Sequence, residues 1–321
     1  MSLPKNMDFP HIRAAEYRPD LHRITYGMYG TFEERIPTTD LRERMFRKIA
    51  YRLEPLVGPK TPRRPVLIVG AGRSGTSILS RVLEHPDVAS YPGEALDLWF
   101  PGNFPWASSR LDKPPFWADP AAFTRLALAE WTERDTRRIR TIFRLFQKMC
   151  AAPVFLNKNA MSSCSLPHIN MVLPDAKFIH IVRDGRAVAV SHAEQQFARI
   201  QANPAPFAKA GFNLPFGEIL CRTMLGWLAE TAQAEADIRA LNLREQGRIA
   251  EIRYEDFCAA PHETAARLAD FIGIDPKKLN RKLLDSVKPT NDRVPEVIGA
   301  AAFAEMTEAM GEGLTTIGTR I

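Results

Sequence analysis

The sequence predicts an α/β fold of the P-loop type: three layers, with a central parallel sheet flanked by helices. Three observations predict it. The apolar run Val66–Val69 breaks into the turn Gly70-Ala71-Gly72-Arg73-Ser74-Gly75 and then into a helix-forming stretch that starts at Thr76. Further strand-like segments at 154–156, 177–182 and 248–253 are separated by long segments of helical period, the pattern of parallel strands joined by crossover helices. Chemically distinctive residues, Glu94, Lys158, Arg183 and Tyr254, fall just after predicted strands. In such sheets, ligands gather at the carboxyl ends of the strands.

In chain order, residues 1–62 are polar with scattered aromatics and one expected helix, Thr39–Leu53, capped by Thr39 or Asp40. Pro62 and Pro65 bracket the approach to the first strand, Val66–Val69. The helix from Thr76 runs to about Leu83, where His85-Pro86 ends it. His85 is read as structural. A short strand, Val88–Tyr91, leads to Pro92-Gly93-Glu94. Residues 97–120 mix Trp99, Phe100, Phe104, Trp106, Phe116 and Trp117 with prolines and show neither helical nor strand period. They read as an ordered loop or lid, either a flap of the core or the wall of an acceptor pocket.

From Thr124 to Met149 apolar residues recur at helical spacing, and Arg134, Arg137, Arg138, Arg140 and Arg144 form its solvated face. Val154–Leu156 is a strand running into Asn157-Lys158-Asn159, and Lys177–Val182 is a buried strand followed by Arg183-Asp184-Gly185-Arg186 and a helix through Ser191. Glu218–Leu241 is a long amphipathic helix, and the strand Arg248–Arg253 ends in Tyr254-Glu255-Asp256. Pro261 opens a helix that Gly273 closes. Asp275-Pro276 caps the next, which is expected to run to about Val287. The expectation is a single domain over residues 1–321, with its core at about 64–292 and acceptor-side or lid segments at 97–150 and 194–241.

Composition narrows the classes. At 321 residues, 45% apolar and 25% charged, the chain reads as a soluble globular protein. A net charge of +6 favours a small anionic ligand, but the basic residues are dispersed, with no Lys/Arg-rich arm, so nucleic acid is not expected. The four cysteines lie far apart and lack metal-ligand spacing, so no metal site is expected, and free thiols point to the cytoplasm. No apolar run reaches the ~18 residues needed to span a bilayer.

The turn at 70–77 carries the main chemical signal. A glycine turn between strand and helix aims backbone N–H groups and the positive end of a helix dipole at one spot, which suits a phosphate or sulfate. Its spacing is that of GxxxxGK[ST], except that Thr76 occupies the lysine position. The nearest cation is Arg73, so the cradle lacks the residue that reaches the β/γ-phosphates of ATP. Gly72, Arg73, Ser74, Gly75, Thr76 and Ser77 are expected to clamp one anion. Arg183 and the hydroxyl of Ser191, eight residues on, are expected to form a second oxyanion site. Two such sites on one sheet edge suit a ligand with two separated phosphates.

These residues resemble the P-loop sulfotransferases that use 3′-phosphoadenosine 5′-phosphosulfate (PAPS) and release adenosine 3′,5′-bisphosphate (PAP). The 72–77 loop is similar to their 5′-phosphosulfate loop, and Phe178–Ser191 to their 3′-phosphate motif. Agreement extends toward the tyrosylprotein-sulfotransferase-like branch: Arg73 in the loop, Gly93-Glu94, Asn157-Lys158, Arg253-Tyr254-Glu255 and Lys288-Pro289-Thr290-Asn291 stand in its motif order. The likeness covers roughly residues 64–292. It implies sulfuryl transfer to a hydroxyl or amine of a small-molecule, carbohydrate or lipid acceptor. Glu94 would be the general base. Arg73 and Lys158 would neutralise developing charge, and Arg183, Ser191, Tyr254 and Lys288 would hold the donor. One departure is notable: the branch often carries two glutamates after the glycine, its base being the second, whereas here the pair is Glu94-Ala95.

Rival assignments remain open on sequence alone. His180 alternates with apolar neighbours in a strand and reads as a satisfied core histidine, while His192 is expected to point away from the site. A P-loop kinase or nucleotide hydrolase is opposed by Thr76 and by Arg183 where a Walker-type aspartate should stand, although Asp184 lies one residue on. A non-catalytic PAPS- or PAP-binding protein would explain the missing second glutamate.

Overall fold

The computed structural model describes residues 8–18, 52, 60–101, 115–289, 291 and 293–318. Five parallel strands form its sheet: β1 (Pro65–Val69), β2 (Val88–Ser90), β3 (Val154–Lys158), β4 (Lys177–Val182) and β5 (Ile249–Arg253). They lie in the order β2-β3-β1-β4-β5. Every residue of β1 is buried, as a central strand covered on both faces requires. Its proline sits at the first position, where a missing N–H costs the ladder least.

Alternation along the strands separates two cores. Leu67 and Val69 of β1 face one way, with Phe155 and Phe178. They pack under α3 (Glu133–Cys150) and the short helix Leu166–Val172. Val66 and Ile68 face the other way, with Leu156, Ile179 and Ile181. There they meet α1 (Thr76–Val82) and α6 (Pro261–Ile272). A third cluster joins α4 (Gly185–Ala202) and α5 (Phe216–Ala240) to the C-terminal helix Ala300–Gly318 through Met306 and Met310, and to Ile12 near the N-terminus. The fold is the expected three-layer α/β arrangement.

Several elements differ from expectation for local reasons. The helix expected from Thr124 to Met149 is two: α2 (Pro120–Leu128) and α3. Thr132 and Asp135 form a reciprocal capping box that starts the second and interrupts the first. On α3, Arg137 does face solvent beside Glu133, but Arg140 donates to the carbonyls of Val172 (2.7 Å) and Met171 (2.9 Å), tying α3 to the Leu166–Val172 helix. The helix expected after Asp275 is a 3-10 turn, Pro276–Lys278, followed by Arg281–Asp285, because the Asn280 side chain caps the second piece at the Leu283 amide. Of the 97–120 aromatics, Trp99, Phe100, Phe116 and Trp117 are core residues; Phe104 and Trp106 lie outside the described residues. The helix expected at Thr39–Leu53 also lies outside them, Arg52 aside. His85 is structural: its Nδ1 accepts from the Asp87 amide and its Nε2 meets the Asp275 carbonyl. Among the described residues no helix is long and apolar enough to cross a membrane.

Candidate active site

The glycine turn follows β1 and lies against the end of β4. Gly70 has φ +145°, and a Cβ there would stand 2.2 Å from the Ile181 carbonyl oxygen. Only glycine permits that approach. The Ser74 amide donates to the Ala71 carbonyl at 3.0 Å, closing a tight turn. That amide therefore serves the loop itself, a departure from the expected cradle of Ser74 through Ser77. The first bond of α1 is Leu79 N–H to Gly75 C=O, 3.1 Å. Helix geometry leaves the Thr76, Ser77 and Ile78 amides without a carbonyl four residues back. Gly75 is left-handed at φ +93°, with the Tyr254 ring 2.6 Å from where a Cβ would be. Arg73 is also left-handed, at φ 73°. A non-glycine residue held there stores backbone strain that surrounding contacts must maintain.

Those contacts are specific. The Arg73 Nε donates to Ser191 Oγ on α4 at 3.1 Å. The Arg73 carbonyl accepts from Arg183 at 2.8 Å. Arg183, just after β4, also donates through Nε to Asn291 Oδ1 (2.8 Å), and its guanidinium lies 4.6 Å from the centre of the Tyr254 ring. Asn291 Nδ2 donates to Glu255 Oε1 at 2.5 Å, and the same oxygen accepts the Asp184 amide at 3.0 Å. The Tyr254 hydroxyl meets the Lys288 carbonyl at 3.2 Å. One polar network thus joins the glycine turn, the end of β4, the end of β5 and the segment after 288. Burial lowers the Arg183 pKa from its ordinary value, and the negative ends of Tyr254 and Glu255 offset part of that. The structure therefore brings Gly72, Arg73, Ser74, Gly75, Thr76, Ser77, Arg183, Ser191 and Tyr254 to one place. Lys288 joins through its main chain, and its side chain is exposed.

Glu94 and Lys158 meet at the neighbouring strand ends, β2 and β3, in a direct ion pair. Their side chains are 23% and 14% exposed, so a ligand can still reach them. Two features set this geometry. Ala95 is left-handed (φ 51°) and starts the Leu96–Trp99 helix. Trp99 Nε1 then donates to Asn157 Oδ1, beside Lys158, at 2.9 Å. Ala95 itself is buried among Tyr91, Leu98 and Trp99. A second glutamate there would place a carboxylate in the apolar core, so the Glu94-Ala95 departure leaves Glu94 as the carboxylate at the strand edge.

Three residues of this region differ from, or escape, the sequence reading. His192 does not point away: its Cε1 lies 3.7 Å from where a Gly72 Cβ would be. Burial, with Arg199 and Arg73 nearby, pushes its pKa down to about 3. Glu194, three residues past Ser191 on α4, is a buried carboxylate bonded to Arg293 at 2.7 Å and close enough to Arg73 to feel its charge. The i, i+3 spacing of Ser191 and Glu194 was a signal that could have found it. His180 is buried, as expected, but is not satisfied: its Nδ1 lacks a hydrogen-bond partner and stands 3.8 Å from Glu251.

A five-stranded parallel sheet flanked by helices, with a glycine turn after its first strand and two arginines beside that turn, defines a three-layer α/β protein. The sulfotransferase family model matches residues 65–278, about two thirds of the chain, and the chain belongs to the sulfotransferase family. Among solved structures, sulfotransferase STF9 of Mycobacterium avium aligns with 17% identity and a TM-score of 0.52, covering 84% of this chain and 80% of that one. Sulfotransferase STF1 of Mycobacterium tuberculosis aligns with 15% identity and a TM-score of 0.50, covering 79% and 81%. At these identities the likeness is one of fold. No curated protein matches the chain.

Proposed function

We propose that this sulfotransferase moves the sulfuryl group of PAPS to a hydroxyl or amine of a small-molecule, carbohydrate or lipid acceptor, as one domain whose acceptor side is built by 97–150 and 194–241. The observation that carries the reading is the direct bond between Arg73 and Ser191, which merges the two anion sites into one continuous cationic surface. A donor with a 5′-phosphosulfate and a 3′-phosphate matches that surface. Arg73 and the first-turn amides of α1 hold the 5′ end. Ser191 accepts from Arg73 and keeps its own hydroxyl hydrogen for the 3′-phosphate, beside Arg183. Tyr254 walls the same end, and Lys288 closes over the phosphates. The tyrosylprotein-like branch is the motif order that fits best.

In-line transfer asks little covalent chemistry of the protein. Glu94 takes the acceptor proton, and Lys158, released from Glu94 as the acceptor enters, donates to the oxygens where charge grows. A preorganised donor of this kind is worth about 3–4 kcal/mol. Thr76, in the place of a P-loop lysine, supports this donor over a nucleoside triphosphate; the Glu94–Lys158 pair supports an enzyme over a binding protein. Thermal unfolding tests the reading. PAP should raise Tm, following RT ln(1 + [L]/Kd), far more than ATP with Mg²⁺ does. A larger shift with ATP and Mg²⁺ would reverse the order.

A further inference from the structure

A small polar cavity lies beneath the glycine turn, between the ends of β1 and β4 and the middle of α5. Ser74, Ser163, His180, Trp227 and Glu230 are among its lining residues, and it has room for one water. Two polar atoms on this lining, Ser74 Oγ and His180 Nδ1, are buried without a hydrogen-bond partner. Ser74 is fully buried and Glu230 is 4% exposed. Leaving a polar atom buried and unpaired is costly, and a bridging water removes that cost.

We propose that Glu230 is a positioning residue for the glycine turn: through one buried water shared with Ser74 Oγ and His180 Nδ1, it holds Arg73 and the 70–75 backbone in the anion-binding conformation. The proposal rests on the turn being the donor site. The Ser163 hydroxyl meets both the Ala160 carbonyl (2.9 Å) and Glu230 Oε1. One hydroxyl hydrogen cannot serve both. A protonated Glu230 resolves this by donating to Ser163 Oγ while Ser163 donates to Ala160. Burial acts in the same direction, pushing the Glu230 pKa up to about 8. The titratable groups around it are His180 on β4, with Glu251 of β5 and then Arg244 behind it, Cys164 on the 160–164 turn, and Asp237 on α5 itself.

The test compares wild type with Glu230→Gln, Glu230→Leu and Ser74→Ala, reading PAP affinity from pH 6.5 to 9 and amide exchange of residues 71–76 without ligand. Glutamine keeps a neutral donor and acceptor, so Glu230→Gln should match wild type near pH 7. Wild-type affinity should then fall below that of Glu230→Gln by about fivefold at pH 9, the equivalent of one ordinary hydrogen bond. Glu230→Leu should speed exchange at 71–76 and weaken PAP about tenfold, and adding Ser74→Ala should weaken it no further. Unchanged exchange and affinity in a folded Glu230→Leu protein would overturn the proposal. So would identical pH profiles for wild type and Glu230→Gln, a comparison that stands even where the leucine variant does not fold. Were wild type not to bind PAP at all, the donor reading would fail, while the exchange at 71–76 would still decide whether Glu230 orders the turn.

Discussion

The guanidinium of Arg183 donates to the main-chain carbonyl of Arg73 across 2.8 Å. These residues lie on different loops, one after β4 and one after β1, at neighbouring strand ends. The group expected to hold one end of the donor therefore also braces the strained residue that holds the other. On the proposed reading, binding at the two ends would be coupled through the protein before any ligand arrives.

Replacing Arg183 should thus remove more than one contact. Charge-assisted hydrogen bonds are worth about 1.5–3 kcal/mol each, roughly 10- to 100-fold in affinity. Arg183→Ala is expected to lose at least that much PAP affinity in calorimetry, and with it the preference for PAP over adenosine 5′-monophosphate. Arg183→Lys keeps a charge but cannot reach Arg73 and Asn291 together, so it should recover only part of the loss. Full recovery by lysine would reduce the role of Arg183 to charge alone.

Glu94→Gln separates chemistry from binding. The amide can still accept from Lys158 but cannot take a proton. Turnover is expected to fall by about 10²–10⁴-fold while PAP affinity stays at the wild-type value. Asn157→Ala should act on the same step indirectly. It removes the bond from Trp99 that seats the turn carrying Glu94, so it should lower turnover less than Glu94→Gln and also lower Tm. Wild-type turnover in Glu94→Gln would move the base elsewhere.

What was legible in the sequence follows from which interactions are local. β1 and β4 are short, mostly apolar runs rich in β-branched residues, and their bounds are readable to a residue or so. The Pro261 and Gly273 punctuation of α6 works because both act on their own backbone: Gly273 is the left-handed cap. The break between α2 and α3 was also local, in Thr132 and Asp135, but the apolar period runs across it and masks it. The C-terminal helix Ala300–Gly318 offers mostly small residues, and its place is set by Met306 and Met310 in the third core cluster, a contact with no sequence signature. At the site, residue types and strand-end positions were readable, whereas their wiring was not. Arg183 to Arg73, Asn291 to Glu255 and Ser163 to Glu230 all join distant segments, and only the fold brings them together.

Stability should depend on pH in opposite senses on either side of pH 6.5. His168, lying 4.3 Å from the centre of the Trp131 ring, and His192 are held neutral by burial, their pKa values lowered from 6.5 to about 4 and about 3. The unfolded chain binds more protons there, so stability is lost as pH falls below 6.5. Glu230 has the reverse sign: raised from 4.5 to about 8, it leaves the folded chain with more protons, and stability declines as pH rises toward 8. From about pH 7 to 8 both histidines are mostly neutral in either state, so Glu230 dominates with a slope of about 1.4 kcal/mol per pH unit at most. Denaturant titrations should show wild type losing stability across that window and Glu230→Gln losing markedly less. Equal slopes would mean that Glu230 is already ionised in the folded protein.

Gly75 tests whether the turn must keep its shape for the donor to bind. Two separate costs fall on Gly75→Ala: the backbone stands at φ +93°, and the new Cβ would meet the Tyr254 ring at 2.6 Å. A left-handed non-glycine residue costs about 1–3 kcal/mol. The ring clash adds to it, because Tyr254 is pinned by its bond to the Lys288 carbonyl and by the Arg183 guanidinium over its face. Gly75→Ala is therefore expected to lower Tm by several degrees and PAP affinity by about tenfold or more. Adding Tyr254→Ala removes the clash but not the strain, so the double variant should regain stability over Gly75→Ala while staying below Tyr254→Ala alone. The difference between the two cycles, one in Tm and one in affinity, then says what the ring does. If Tyr254 only packs against the turn, the second substitution restores affinity together with stability. If it also walls the donor, stability returns and affinity does not, and that second outcome is the one expected from its place beside Arg183.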